Sequence, residues 1–167
     1  MHTTESKVGK QGKYTMNINP HLNFNGQCKE AFEFYEKVLG GKIVFSMTWG
    51  EMPGGAADQF PPETHNRIMH TALKVDGQTI MGADAPPDRY TAPKGITVSI
   101  GVKDKAEAER IFKALSEGGN ITMPFSQTFW SPGFGMCVDR CGTPWMVNTE
   151  QEMEGIKVSH GGTETGR

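Results

Sequence analysis

Glu30-Ala31-Phe32-Glu33-Phe34-Tyr35-Glu36-Lys37-Val38-Leu39-Gly40-Gly41-Lys42-Ile43 decides the fold, because its pattern occurs twice. The second copy reads Glu107-Ala108, Ile111-Phe112, Gly118-Gly119 and Ile121, at matching offsets apart from one inserted residue. In the first copy Cys28, Ala31, Phe32, Tyr35, Val38 and Leu39 recur at helical spacing and build one apolar stripe. Asn25 is the expected cap and Gly40-Gly41 the stop. In the second copy Asp104-x-x-Glu107 resembles a capping box, with Ala108, Ile111, Phe112 and Leu115 inward and Gly118-Gly119 as the stop.

Outward from the first helix, 16–25 alternates. Met16, Ile18, Pro20, Leu22 and Phe24 fall on one side; Asn17, Asn19, His21, Asn23 and Asn25 fall on the other. A period of two predicts a strand, and Pro20, which lacks an N–H, puts it at a sheet edge. Strands are also expected over 43–49, 68–75 and 78–83, the last two joined by the hairpin turn Asp76-Gly77. Within 68–75, Met69, Thr71, Leu73 and Val75 share one face, and Ile68, His70, Ala72 and Lys74 the other. Around the second helix, strands are expected over 96–102, 121–125, 135–139 and 144–149. The fold class is therefore α+β, with two tandem βαβββ modules at 16–88 and 95–150 in one domain over 16–150. A flexible tail is expected at 1–15 and a polar tail at 151–167. Each module is a curved, mostly antiparallel sheet with a helix on one face, and the other faces border a groove.

Alternation also sorts the side chains. Leu22, Phe24, Leu73, Val75, Ile100 and Val147 are expected beneath the helices. His21, Asn23, His70, Met146 and Asn148 are left to the groove, with Trp130 as a wall. Met52, Met123 and Met136 extend an adaptable apolar lining. Trp145 belongs to the core, and Asp139 to Gly142 reads as a type I turn. The loop 50–66, with three prolines and three glycines, is expected as a movable cover.

The chain has 167 residues and a net charge of −2. That balance excludes non-specific nucleic-acid binding, which needs a basic field. No apolar run approaches the ~20 residues of a membrane span, and 1–14 lacks the apolar core of a signal peptide. The expected location is the cytoplasm. Cys28, Cys137 and Cys141 are odd in number and form no Cys-x-x-Cys, so free thiols are expected rather than a disulfide or zinc site.

Taken together, Leu22-Asn23-Phe24-Asn25-Gly26, Glu30-Ala31-Phe32-Glu33-Phe34-Tyr35, Leu39-Gly40-Gly41, Met81-Gly82-Ala83-Asp84, Thr128-Phe129-Trp130 and Gly142-Thr143-Pro144-Trp145-Met146-Val147-Asn148 resemble the PhnB-like group of the vicinal-oxygen-chelate superfamily. That superfamily includes glyoxalase I, extradiol dioxygenases and bleomycin-resistance proteins. The resemblance implies paired βαβββ modules and a homodimer. It also implies, in many members, a divalent metal held by His and carboxylate ligands, one from each of four strands. Those positions fall here at Pro20 or His21, near Gly82 with Asp84 two residues on, near Thr97, and at Met146. Thr is a poor ligand and the Met thioether is soft, so no metal ligand and no cofactor is assigned.

The expected function is capture of a small, partly apolar molecule by His21, Asn23, His70, Asp84, Trp130, Met146 and Asn148. His70 is the candidate acid or base, since imidazole titrates near neutrality. The alternative is a divalent-metal-dependent lyase, isomerase or dioxygenase of the glyoxalase type. A methyltransferase is not expected, because no glycine-rich strand-to-helix loop follows a first parallel strand.

Overall fold

Both expected helices form. In a computed structural model that describes residues 16–151, the order is β1 (His21–Phe24), α1 (Cys28–Leu39), β2 (Lys42–Thr48), β3 (Ile68–Val75), β4 (Gln78–Asp84), β5 (Val98–Val102), α2 (Lys105–Ser116), β6 (Asn120–Ser126), β7 (Phe134–Val138) and β8 (Pro144–Thr149). The expected tail 1–15 and all but the first residue of the tail 151–167 lie outside the described residues. The strands make two four-stranded sheets, ordered β1-β4-β3-β2 and β5-β8-β7-β6. The same order in both is what a repeated unit requires. β1 runs parallel to β4 and β5 to β8, and the remaining pairs are antiparallel.

Each helix lays its apolar stripe on one face of its own sheet. Phe24, Leu73, Trp145 and Val147 are at most 1% exposed beneath Phe32, Tyr35, Ile111 and Phe112. Glycine lets the rings lie close: a Cβ at Gly135 would meet Phe112 at 2.7 Å, and one at Gly82 would collide with Phe32. The two helix layers share one core. Tyr35 of α1 packs edge-on against Trp145 of β8, 5.1 Å between centroids. Arg110 of α2 donates to the Val38 carbonyl at 2.9 Å. Arg140 lies 4.2 Å above the Phe34 ring, a cation–π contact.

Asp139 fastens this join. Its Oδ2 accepts from the Tyr35 hydroxyl (2.6 Å) and the Trp145 indole N–H (2.8 Å). Its Oδ1 accepts from the N–H groups of Cys141 (2.8 Å) and Thr143 (3.0 Å). The expected turn is present as well, with the Gly142 N–H donating to Asp139 O at 3.0 Å.

Local differences have local causes. β1 starts at His21 rather than 16, because the edge strand takes up pairing only where the Pro20 carbonyl meets the Met81 N–H. Asn25 does not cap α1. Asp84 does, accepting from the N–H groups of Gly26 (2.7 Å) and Cys28 (3.1 Å). At α2, Asp104 caps as expected, but Glu107 turns to Arg110 instead of closing a box. Ile68 is 3% exposed in the core rather than on the His70 face. A register shift between Met47–His70 and Thr48–Ile68 inserts one residue and reverses the side.

Asp139→Ala leaves the Trp145 indole and two main-chain N–H groups without an acceptor in the core, while the Tyr35 hydroxyl keeps the Thr143 hydroxyl oxygen at 2.9 Å. At about 1–3 kcal/mol for each unsatisfied buried group, the expected loss is about 3 kcal/mol or more. Tyr35→Phe removes one donor and is expected to cost about 1 kcal/mol. Denaturant titration measures both, and similar losses in the two variants would refute the role given to Asp139.

Candidate functional site

The face of each sheet away from its helix is open. Directly paired residues project to the same side, about 5 Å apart, so the ladder register draws the surface row by row. On the first sheet one row is His21, Met81, Ala72 and Phe45. Beside it lie the pairs Asn23–Ala83 and His70–Met47. Ala72 and Ala83 are the small residues in these rows. The His21 and His70 rings stack, 5.9 Å between centroids and 20° from parallel. Phe45 lies 5.8 Å from the His70 ring. His21 keeps an exposed edge, yet desolvation, and then the charge His70 would carry, lower its pKa below the ordinary 6.5.

On the second sheet one row is Ser99, Met146, Met136 and Met123, and the next is Gly101, Asn148 and Phe134. The Asn148 Oδ1 is buried and has no hydrogen-bond partner among the described residues. Trp130 stands edge-on to Phe134 at 5.6 Å, and Phe129 edge-on to Trp130 at 4.7 Å. Their loop is braced. The Thr128 N–H donates to Ser131 O at 2.9 Å, and the Ser131 N–H donates back to the Thr128 hydroxyl at 3.1 Å.

The candidate residues thus gather in two groups. His21, Asn23 and His70 share the first open face; Trp130, Met146 and Asn148 share the second. Because the covered faces meet in one core, the open faces turn away from each other within the chain. Asp84 belongs to neither. It is 3% exposed, and its carboxylate is committed to the N–H groups of Gly26, Cys28 and Ile68. Its assignment as a ligand contact is corrected to a cap that ties α1 to β3. Phe45, Met47, Met81, Ala72 and Ala83 enter the site without having been singled out. The alternation of 43–49 carried the signal, but a register shift between Ile43 and Phe45 decides the side.

The resemblance implies a hard divalent cation. Met146 stands at its carboxylate position, and thioethers are soft. Among the described residues no three His, Cys, Asp or Glu side chains cluster as a metal site. The cysteines are free and buried, and burial pushes the Cys137 and Cys141 thiols up to about 11.

The loop 50–66 packs on itself and beside the segment that follows β4. It folds into short 3-10 turns at Trp49–Glu51, Ala56–Gln59 and Pro62–Thr64. The Gly50 N–H donates to His65 O at 2.9 Å, and the Trp49 and Phe60 rings meet at 4.5 Å. With Pro86, Pro87, Asp88 and Arg89 the loop walls a separate cleft of about 490 Å³.

A family model described as 3-demethylubiquinone-9 3-methyltransferase matches residues 16–148. Protein YjdN of Escherichia coli (strain K12) is 33% identical over 146 residues, covering 82% of this chain and 97% of that protein. The crystal structure of protein PA1353 from Pseudomonas aeruginosa is similar at 42% identity and a TM-score of 0.75, covering 83% of this chain and 100% of that one. A PhnB protein from Bacillus cereus (23% identity, TM-score 0.67, covering 80% and 98%) shares the fold. So does the fosfomycin resistance protein FosX from Listeria monocytogenes (8% identity, TM-score 0.58, covering 87% and 98%).

The His21 ring is expected to titrate below 6.5. His70→Ala is expected to bring it only part of the way back, since desolvation remains. A folded pKa below the unfolded one means that protons favour the unfolded chain. This contribution is therefore absent above about 6.5 and lowers stability as pH falls through the window beneath it. Ring-proton NMR measures the midpoint; a value at or above 6.5, or no response to His70→Ala, contradicts the stacked pair.

Proposed function

This chain belongs to the family described as 3-demethylubiquinone-9 3-methyltransferase, and we propose that it captures a small, partly apolar molecule on its open sheet faces. The observation that carries the proposal is unspent polarity in an apolar setting. The Asn148 Oδ1 is buried without a partner beside Met146 and Phe134. The other open face offers the stacked His21 and His70 among Phe45, Met47 and Met81. Mostly apolar linings with a few directed polar groups suit a flat molecule held by two or three hydrogen bonds, each worth about 1 kcal/mol net.

The same geometry supports pairing of copies, with each open face read as half of an enclosed site. Isologous pairing sets the first face of one copy against the second face of its partner, and does so twice. We therefore read the protein as a homodimer with two composite sites, acting in the cytoplasm. No described helix is long and apolar enough to cross a membrane. The methyl transfer named in the family description is not adopted. The loop from β1 to α1 carries no glycine-rich cradle, and its N–H groups at Gly26 and Cys28 already donate to Asp84. A hard divalent metal is not adopted either, because Met146 and Thr97 are unsuited to hold one.

Light scattering at micromolar concentration is expected to give a dimer. Native mass spectrometry is expected to reveal a co-purified small molecule, and elemental analysis less than stoichiometric zinc, nickel or iron. His70→Ala and Asn148→Ala are each expected to weaken binding of that molecule about fivefold to tenfold, as loss of one hydrogen bond does. A monomer, or one metal equivalent lost on His21→Ala, would sink the proposal.

A further inference from the structure

We infer that the methionine row on the second open face is a site for a soft monovalent cation, copper(I) or silver(I). The inference uses that open face but needs no small-molecule ligand, so it goes beyond the reading above. Met146 is paired with Met136, and Met136 with Met123, on three adjacent strands. Neighbouring strands lie about 4.8 Å apart, and each thioether swings on a flexible, unbranched stem. The outer sulfurs can therefore lean over Met136 and meet one ion. All three side chains are half-buried, neither sealed nor free in solvent.

The backbone around Met123 supports this. Register shifts fall on both sides of it, between Ile121 and Met123 and between Met123 and Ser126. Bulges re-aim side chains, and here they flank the one residue of this stretch that opposes Met136. The donor set fits one class of cation. Thioethers are neutral and soft, and select copper(I)-like ions over magnesium, calcium or manganese. Ser99, Gly101, Asn148 and Phe134, which border the row, bring no charge. Met146 also occupies the position where the resemblance implies a carboxylate, so a soft ligand stands in place of a hard one.

The test titrates silver(I), in chloride-free buffer, into the purified full-length chain carrying ¹³C-methyl methionine. The Met123, Met136 and Met146 methyl resonances are expected to shift together and saturate at one equivalent. Met136→Leu conserves volume and is expected to fold, while weakening silver binding at least about tenfold through loss of a soft ligand. Met16→Leu, 81% exposed ahead of β1 and outside both open faces, is expected to leave affinity unchanged. Thioethers do not titrate, so affinity should be level between about pH 5.5 and 7.5, where capture by imidazole would fall as the ring protonates. Separate or absent methyl shifts, affinity retained in Met136→Leu, or binding that weakens with acid overturns the inference. The co-purified molecule is removed by exhaustive dialysis before the titration, so failure here and failure of the small-molecule reading are distinguishable.

Discussion

The structure depends on one buried carboxylate. Asp139 is 3% exposed and accepts from Tyr35, Trp145, Cys141 and Thr143. Tyr35 belongs to the first module and the other three donors to the second. A charge out of water is costly unless donors replace its hydration, and these four do so. Burial and the neighbouring Asp139 hold the Tyr35 hydroxyl well above its ordinary pKa, so it stays protonated and keeps donating. With α1 locked to the β7–β8 hairpin, the two helix layers form one core and both sheets turn their other faces outward.

That arrangement settles which groups remain for chemistry. Asp84 repeats the device within the first module, capping α1 and holding the start of β3. Both aspartates are consumed by structure. The open faces retain imidazoles, thioethers, aromatic rings and an amide oxygen with no partner among the described residues. Such a surface favours flat, weakly polar or soft partners over hard cations.

Much of this was legible in the sequence. The repeated helix and double glycine gave the module, and the alternation of His70 against Leu73 and of Asn148 against Val147 gave the correct faces. Bulges were not legible. One near Ile43 turned Phe45 and Met47 outward, and one before His70 sent Ile68 into the core; a single inserted residue is invisible to a period of two. The cap of α1 was also hidden, because it comes from Asp84, 56 residues from Cys28. Alternation tells which side of a sheet a residue takes but not where that side points. The division of the site residues between two outward faces therefore had no sequence signal, since it rests on the Tyr35–Asp139 contact between residues 104 apart.

The central claim is that the first face of one copy completes the second face of another. Paramagnetic relaxation tests it directly. A nitroxide is attached to Asn23→Cys in unlabelled chains, which are mixed with chains carrying ¹³C-methyl methionine. The native cysteines are buried and stay unmodified. The account predicts broadening of the Met146 and Met136 methyls in the labelled copies while methionines away from the open faces stay sharp. Unbroadened Met146 and Met136 resonances in a mixture shown to be dimeric would contradict it.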